Sequence, residues 1–184
     1  MARLRLLDAD TVPIGAQHLF ESGDPGAIVA ALAQVPELVE PTLAFVGAAL
    51  GSGAADARHK EIAILRTSAL QRCRFCTASH TVEALETGLS PDEVRALRGE
   101  RPVDAVFTDP AERALVAWVD AMAGATGPLD DDTFDEARAH WPEHILVELS
   151  VTVGATLFLN RFATGFELPS SAAVTTRLAA EGWS

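Results

Sequence analysis

The sequence predicts an all-α fold, and three observations support this class. Of the 184 residues, 48% are hydrophobic and only 6% aromatic, and the strong helix formers Ala and Leu dominate the apolar set. Turn residues divide the chain into segments of helical length, in which apolar residues recur at helical spacing. No segment alternates polar and apolar residues over the length of a strand. We therefore expect one domain of packed helices over residues 1–184.

The first half of the chain predicts five helices separated by turn sequences. Gly88 is a typical C-cap for the fourth. The fifth has a clear start, because Ser90 can cap it, a proline follows, and two acids lie in the first turn. The predicted helices are 27–35, 36–50, 56–72, 76–87 and 90–97.

The second half predicts a hinge-like connection over 98–110 and three further helices, 111–124, 130–141 and 142–166. The last helix is long and apolar, which favours burial of one face in a homo-oligomer. Glu148 and Arg161 interrupt it. Because such charges are costly in lipid, we expect no membrane span. Because buried charges need partners, we expect ion pairs for both residues in the core or at a subunit interface.

A weak internal similarity relates residues 58–80 to residues 145–167 at an offset of 87. Duplication of a helix pair would produce it, and so would chance identity between helices rich in Ala and Leu. Asn160 and Ala163 replace the two cysteines in the second copy, so only the first copy would carry their chemistry. The identical pairs are Glu61 and Glu148, Leu70 and Leu157, Arg74 and Arg161, Phe75 and Phe162, Thr77 and Thr164.

The charge and the N-terminal segment constrain partners and location. A formal net charge of −12 argues against nucleic acid, because phosphate binding needs clustered Lys and Arg. The first residues, MARLRLLDAD, combine two arginines with a brief apolar stretch and early acids. This pattern is typical of mature protein rather than a signal peptide, so we expect a cytoplasmic protein. In that compartment a Cys-x-x-Cys motif is usually redox-active or metal-binding.

The segment CRFCTASH (73–80) contains both cysteines of the chain, followed by a histidine. In a helix, Cys73, Cys76 and His80 would share one face. A helix N-terminus stabilises a thiolate, and such settings lower a thiol pKa from about 8.5 to about 3.5–7.5. Arg72 and Arg74 add positive charge nearby. The segment therefore predicts a thiolate able to attack peroxide.

A disulfide between these cysteines requires a particular backbone position for Cys73. Helical residues three apart hold their Cβ atoms about 5–6 Å apart, whereas a disulfide needs about 3.8 Å. Closure is therefore easy only if Cys73 lies at or just before the first turn of the helix.

Glu61 is the predicted base, twelve residues before Cys73 on the preceding helix. If the chain reverses at 71–74, the two helices pack antiparallel and this carboxylate reaches the face that bears Cys76 and His80. Glu61 and His80 would then accept the thiol proton, directly or through a water.

These residues and their spacing resemble the active site of alkylhydroperoxidase D-like proteins of the carboxymuconolactone decarboxylase superfamily. The shared pattern is Glu61, twelve residues, Cys-x-x-Cys, three residues and His80, and the similarity extends over about 35–168. The resemblance implies an all-helical bundle that assembles as a trimer or hexamer. It also implies thiol-dependent reduction of hydroperoxides without haem, flavin or another cofactor.

The resemblance further implies a role for each site residue. Cys76 would attack the peroxide and Cys73 would resolve the intermediate, with Glu61 and His80 deprotonating Cys76. A dithiol, in some relatives a lipoyl group on a partner protein, would reduce the resulting disulfide. Several relatives carry a second histidine where this chain has Phe75, and a phenyl ring cannot transfer protons.

Three other interpretations of the motif remain open. The cysteines could be inert core residues of a small-molecule binding protein. They could bind zinc with His80, although structural zinc normally takes four ligands and no fourth Cys or His lies nearby. The chain could also be a non-redox enzyme such as a lactone decarboxylase, whose reaction does not need the cysteine pair. His140 and His144 have the spacing of a metal pair, but Pro142 lies between them, so we expect surface or capping residues.

Overall fold

The computed structural model describes residues 2–124 and 127–183 and contains α-helices and two short 3-10 helices but no strand in those ranges. The all-α prediction is confirmed. The 3-10 helices are Ile14–Phe20 and Val103–Ala105. The α-helices are α1 (Ala27–Leu32), α2 (Pro36–Leu50), α3 (Ala57–Leu70), α4 (Arg74–Glu86), α5 (Pro91–Leu97), α6 (Pro110–Gly124), α7 (Asp131–His140), α8 (Glu143–Gly165) and α9 (Ala172–Ala180).

Helix α3 lies at the centre of the main core and packs against α4, α6 and α8. Its buried side chains meet apolar residues from those helices in one continuous cluster. Burying each large apolar side chain contributes about 1.5–3 kcal/mol, which makes this cluster the main support of the bundle. Its largest fully buried members include Ile62, Leu65, Leu115, Leu149 and Val153.

The helix boundaries follow local chemistry. Ser90 caps α5 in a reciprocal capping box with Glu93, as the sequence predicts. The first helix is shorter than predicted and ends at Leu32 rather than residue 35. Val35 precedes a proline and adopts a non-helical conformation (φ −130°, ψ 83°), since the proline ring disfavours a helical residue before it.

Three helical segments were not predicted: the 3-10 helices Ile14–Phe20 and Val103–Ala105, and helix α9. Helix α9 packs against α4, the helix that follows the cysteines. Ser171 caps its first turn by accepting the Val174 N–H. The segment lacks a clear apolar period in sequence, so its helical form depends on this cap and on packing.

The second copy of the internal similarity is not a helix pair, so the duplication is wrong as a description of the fold. Helix α8 runs without interruption through the segment that corresponds to α3, the turn and α4. In the first copy the chain breaks at Arg72, whose φ of 53° is left-handed. The corresponding residues around Asn160 remain helical, because no such conformation interrupts them.

Glu148 forms the expected core ion pair, and Arg161 does not. The Nζ atom of Lys60, which is 3% exposed, lies 2.7 Å from Glu148 Oε1. Glu148 Oε2 accepts the backbone N–H groups of Ala54 and Ala55. Arg161 is exposed and forms no ion pair with the described part of the chain.

By length and composition alone, α8 is apolar enough to cross a bilayer, with a mean hydropathy of 1.4 in its most apolar window. Of that window, 44% is buried, in contact with α2, α3, α4 and α6. The core helix of a globular bundle meets the same criterion, so this feature is weak evidence for a span.

Candidate active site

Cys73 occupies the N-cap position of α4 and is not itself helical. Its φ and ψ of −81° and 97° are extended, and Cys76 lies in the first turn that follows. The left-handed conformation of Arg72 reverses the chain just before it, and the Cys73 N–H closes the end of α3 by donating to Ser68 O. The expectation that Cys73 precedes the first helical turn is confirmed.

The two sulfurs lie close together as free thiols. Cys73 Sγ and Cys76 Sγ are 2.7 Å apart, and Cys73 Sγ also accepts the Cys76 N–H at 3.3 Å. Both side chains are buried, Cys73 with no exposed surface and Cys76 with 5%. Ala31, Ala163 and Leu168 surround them, so the pair lies in an apolar environment beneath the surface.

The surroundings of the two sulfurs favour the negative charge on Cys73 and the proton on Cys76. Hydrogen bonding from Cys76 is the main cause that lowers the pKa of Cys73, to about 6. The Thr164 side chain on α8 lowers it further. Donation to Cys73, burial and the neighbouring charge raise the pKa of Cys76 above its usual range. The backbone N–H groups of Phe75 and Cys76 at the start of α4 also lower the pKa of Cys73. The helix N-terminus thus favours a thiolate, as expected, but on the cysteine predicted to resolve rather than to attack.

Glu61 and His80 form a hydrogen-bonded pair between α3 and α4. His80 Nδ1 lies 3.0 Å from Glu61 Oε2 and 3.3 Å from Oε1. The side chain of His80 is 21% exposed and that of Glu61 is 12% exposed. This contact joins residues placed symmetrically about the turn, so the two helices pack antiparallel, as predicted.

The four predicted residues thus form two pairs, one at the start of α4 and one between α3 and α4. Cys76 and His80 are one turn apart on α4, which brings the thiol pair and the Glu61–His80 pair into the same region. Within the described residues the His80 ring hydrogen-bonds to Glu61 and to neither cysteine. A proton passing between the pairs therefore needs a water or a small side-chain movement.

Two cavities lie near the thiols, and only the first is lined by a cysteine. The basic cavity, of about 670 Å³, has Cys73 in its wall together with Arg3, Arg72, Arg74, Phe75 and Arg161. The apolar cavity, of about 770 Å³, has a mainly apolar lining that includes Leu6, Phe20 and Phe75, and the carboxylates Asp8 and Asp24 also border it. Phe75 lines both. The only hint in sequence was the alignment of Arg74 with Arg161, which meet at the basic cavity.

The described residues contain no group of three or more His, Cys, Asp or Glu side chains placed to hold a metal ion. His140 is the last residue of α7 and contacts Glu136 at 3.2 Å, whereas His144 is exposed in α8. The two histidines therefore lie on different helices.

Comparison with known proteins identifies both a family and a fold. The profile of the carboxymuconolactone decarboxylase family matches residues 36–121. A solved structure from Agrobacterium tumefaciens is 31% identical, with 77% of this chain and 96% of that chain covered and a TM-score of 0.69. That protein is of unknown function, with a suggested role in antioxidant defence as AhpD. No curated protein sequence matches the chain.

Two more distant structures share the fold alone. An uncharacterised peroxidase-related protein from Ralstonia eutropha, with an alkylhydroperoxidase AhpD core, is 15% identical, with 94% of each chain covered and a TM-score of 0.80. The debrominase Bmp8, in a variant lacking one cysteine and bound to 2,3,4-tribromopyrrole, is 19% identical. The match covers 97% of this chain and 95% of the Bmp8 chain, with a TM-score of 0.74. The fold therefore supports more than one chemistry.

Proposed function

The chain belongs to the carboxymuconolactone decarboxylase superfamily as an alkylhydroperoxidase D-like member, and on this premise we propose that it is a thiol-dependent peroxidase. The observation that carries the proposal is the thiol pair. Its sulfurs are 2.7 Å apart, and His80, one turn after Cys76 on α4, is paired with Glu61 on α3. Inert core cysteines need neither a lowered pKa nor an adjacent proton carrier.

Cys76 makes the first attack in this proposal, because it alone keeps exposed surface. Its proton first passes to the Cys73 thiolate across the 2.7 Å between the sulfurs. The Cys76 thiolate then attacks the terminal oxygen of the hydroperoxide and breaks the O–O bond. The alkoxide takes a proton and leaves as an alcohol, and Cys76 becomes a sulfenic acid.

Cys73 completes the oxidation. Its sulfur attacks the Cys76 sulfur, the S–O bond breaks, and the oxygen leaves with protons as water. One hydroperoxide and two thiols thus give one alcohol, one water and one disulfide. The N-cap position of Cys73 permits closure, because its backbone is extended rather than helical.

The Glu61–His80 pair supplies and removes protons. Glu61 holds the His80 ring through Nδ1, which leaves Nε2 to exchange protons with water or substrate. His80 donates a proton to the leaving alkoxide and regains one from solvent, whereas the Cys73 proton leaves in the water that disulfide formation releases. General acid–base catalysis of this kind contributes about 10²- to 10⁴-fold to a rate.

The partners in this proposal are a hydroperoxide, a dithiol reductant that returns the disulfide to thiols, and further copies of the chain in a trimer or hexamer. A lipoyl group on another protein is one such dithiol. Thiol–disulfide exchange with a dithiol needs no metal or bound cofactor.

The test is hydroperoxide consumption with dihydrolipoamide as reductant. We expect turnover by the wild type and loss of nearly all of it in Cys76→Ser. Glu61→Gln should retain some turnover but be slower by about 10²-fold, since it keeps the site's shape while losing the charge that orients His80. Equal rates for the wild type and Cys76→Ser would exclude the thiol mechanism.

Trapping with dimedone separates the two cysteine roles. In Cys73→Ser, the sulfenic acid on Cys76 has no resolving thiol and should be trapped after one equivalent of peroxide. In Cys76→Ser we expect no trapped adduct. The converse result would reverse the assignment. Lactone decarboxylation that survives substitution of both cysteines would instead identify a non-redox enzyme.

A further inference from the structure

The basic cavity concentrates positive charge in an acidic protein. Four arginines line it, against a single carboxylate, Glu167. Arg3 pairs with that carboxylate. Arg72, Arg74 and Arg161 form no ion pair with any described residue. Three arginines thus remain available to a ligand, in a chain whose formal net charge is −12.

Most arginines elsewhere in the fold are paired with carboxylates, unlike Arg72, Arg74 and Arg161. Arg58 binds both Glu93 and Glu112, and Arg66 binds both oxygens of Asp120. Of the described arginines, only Arg5 and Arg113 outside this cavity also lack a carboxylate partner, and Arg113 donates to backbone carbonyls instead. Leaving three guanidinium groups unpaired around one cavity suits an anion that comes from outside the chain.

The cavity leads to the reacting sulfurs. Cys73 is part of its wall, and Cys76 Sγ is 2.7 Å from Cys73 Sγ. Arg72 and Arg74 directly flank Cys73 in the chain, and Arg161 approaches from α8. An anion held there would lie beside the thiol pair.

Phe75 joins this charged region to an apolar one. Phe75 lines both the basic cavity and the apolar cavity. The apolar cavity is the larger, about 770 Å³ against about 670 Å³. A molecule with an apolar body and one charged end fits this pair of cavities better than a small neutral peroxide.

We propose that the substrate is an organic hydroperoxide that carries a carboxylate. The arginines bind the carboxylate, the apolar body lies across Phe75, and the peroxide group meets the thiol pair. This proposal rests on the proposed function and specifies its substrate class. The carboxylate itself is unchanged by the reaction, in which the thiols break the O–O bond as described above.

The first experiment does not depend on peroxidase activity. Iodoacetate and iodoacetamide alkylate the same thiolate and differ mainly in charge. We measure both rate constants for thiol loss and take their ratio, which cancels any change in the thiol pKa. We expect Arg161→Gln and Arg74→Gln each to lower the iodoacetate-to-iodoacetamide ratio by about threefold, the effect of a single exposed ion pair.

Arg138→Gln is the matched control. Arg138 is an exposed arginine on α7, outside both cavities, so its loss changes the net charge equally. We expect its ratio to equal that of the wild type. Ratios that fall equally in all three variants would assign the effect to overall charge, and ratios unchanged in all three would overturn the anion site.

The second experiment compares linoleic acid hydroperoxide with its methyl ester. The wild type should reduce the acid with the higher kcat/KM, and Arg161→Gln should bring the two values together. Equal kcat/KM values in the wild type would refute the substrate class while leaving the peroxidase intact. Turnover of neither compound would refute the proposed function, and the alkylation ratio would still decide whether the cavity binds anions.

Discussion

At the residue scale, reactivity is decided by the distribution of one proton between two sulfurs. The pKa shifts favour the charge on Cys73, which has no exposed surface, and the proton on Cys76, which has a little. Because the thiolate is buried, the resting pair is shielded from casual oxidation. In the mechanism that we propose, attack by Cys76 requires a proton shift between sulfurs that are already in contact.

This distribution predicts a specific pH dependence for Cys73. Its modification by iodoacetamide should rise with pH around a midpoint of about 6, because only the thiolate reacts and the pKa is lowered to about 6. The S–H donor of Cys76 is the largest cause of the lowered Cys73 pKa. Because Cys76→Ala removes that donor, the midpoint of Cys73 modification in this variant should move towards about 8.5. The measurement is peptide mapping of the modified Cys73 across pH.

Cys76→Ser is the control, because its hydroxyl can still donate to the Cys73 sulfur. Its midpoint should remain below that of Cys76→Ala. A wild-type midpoint near 8.5 would contradict the placement of the charge on Cys73.

At the element scale, the junction between α2 and α3 is tied to α8 by one carboxylate. Glu148 on α8 bonds to Lys60 on α3 and to the backbone of the α2–α3 connection. Lys60 Nζ also donates to the carbonyl oxygens of Ala49 and Gly51, so the buried ammonium has three hydrogen-bond acceptors. The helix that bears Glu61 is thereby held against α8.

The absence of a side chain at Gly53 leaves room for the Glu148 carboxylate. We therefore expect a single added methyl group at this position to lower stability. A Cβ at Gly53 would lie 1.9 Å from Glu148 Oε1. The carboxylate would have to leave Lys60 and the backbone donors, so we expect Gly53→Ala to lower the free energy of unfolding by about 1–3 kcal/mol. Denaturant unfolding measures it.

The comparison variant is Gly154→Ala in the interior of α8. A Cβ there meets nothing within 4 Å. Alanine in a helix interior is favoured over glycine by about 0.5–1 kcal/mol, so this variant should be stabilised. If Gly53→Ala were as stable as Gly154→Ala, the proposed tie through Glu148 would be wrong.

At the scale of the whole molecule, apolar side chains remain on one face of the longest helix. Val147 is 64% exposed, and Val151 and Phe158 are each 42% exposed. Their spacing places them along one side of α8. A second copy of the chain covering this face agrees with the homo-oligomer that we propose.

Val147→Lys should therefore weaken assembly. Sedimentation should give a trimer or hexamer for the wild type and smaller species for the variant, since an exposed lysine leaves the monomer's core unchanged. Circular dichroism should show an unchanged helix content. A monomeric wild type would contradict the assembly, and an unaltered oligomer in Val147→Lys would place the interface elsewhere.

The sequence was most informative where the signals were local. Eight helices were predicted from caps, turn residues and apolar spacing, and their positions are confirmed with shifts of a few residues at the ends. The contact between Glu61 and His80 was predicted because a short turn forces the flanking helices together. The helix Ala172–Ala180 was missed because it is stabilised by contact with α4 rather than by its own pattern.

The sequence by itself determined the fold class and brought Glu61, Cys73, Cys76 and His80 into one region, because these residues lie on two consecutive helices. Only the tertiary structure decided which sulfur carries the charge, since this depends on a distance of 2.7 Å and on burial by α8. The arginines of the basic cavity likewise come from the N-terminal segment, the α3–α4 turn, the start of α4 and α8. Residues that far apart in the chain meet only through packing, which no local pattern encodes.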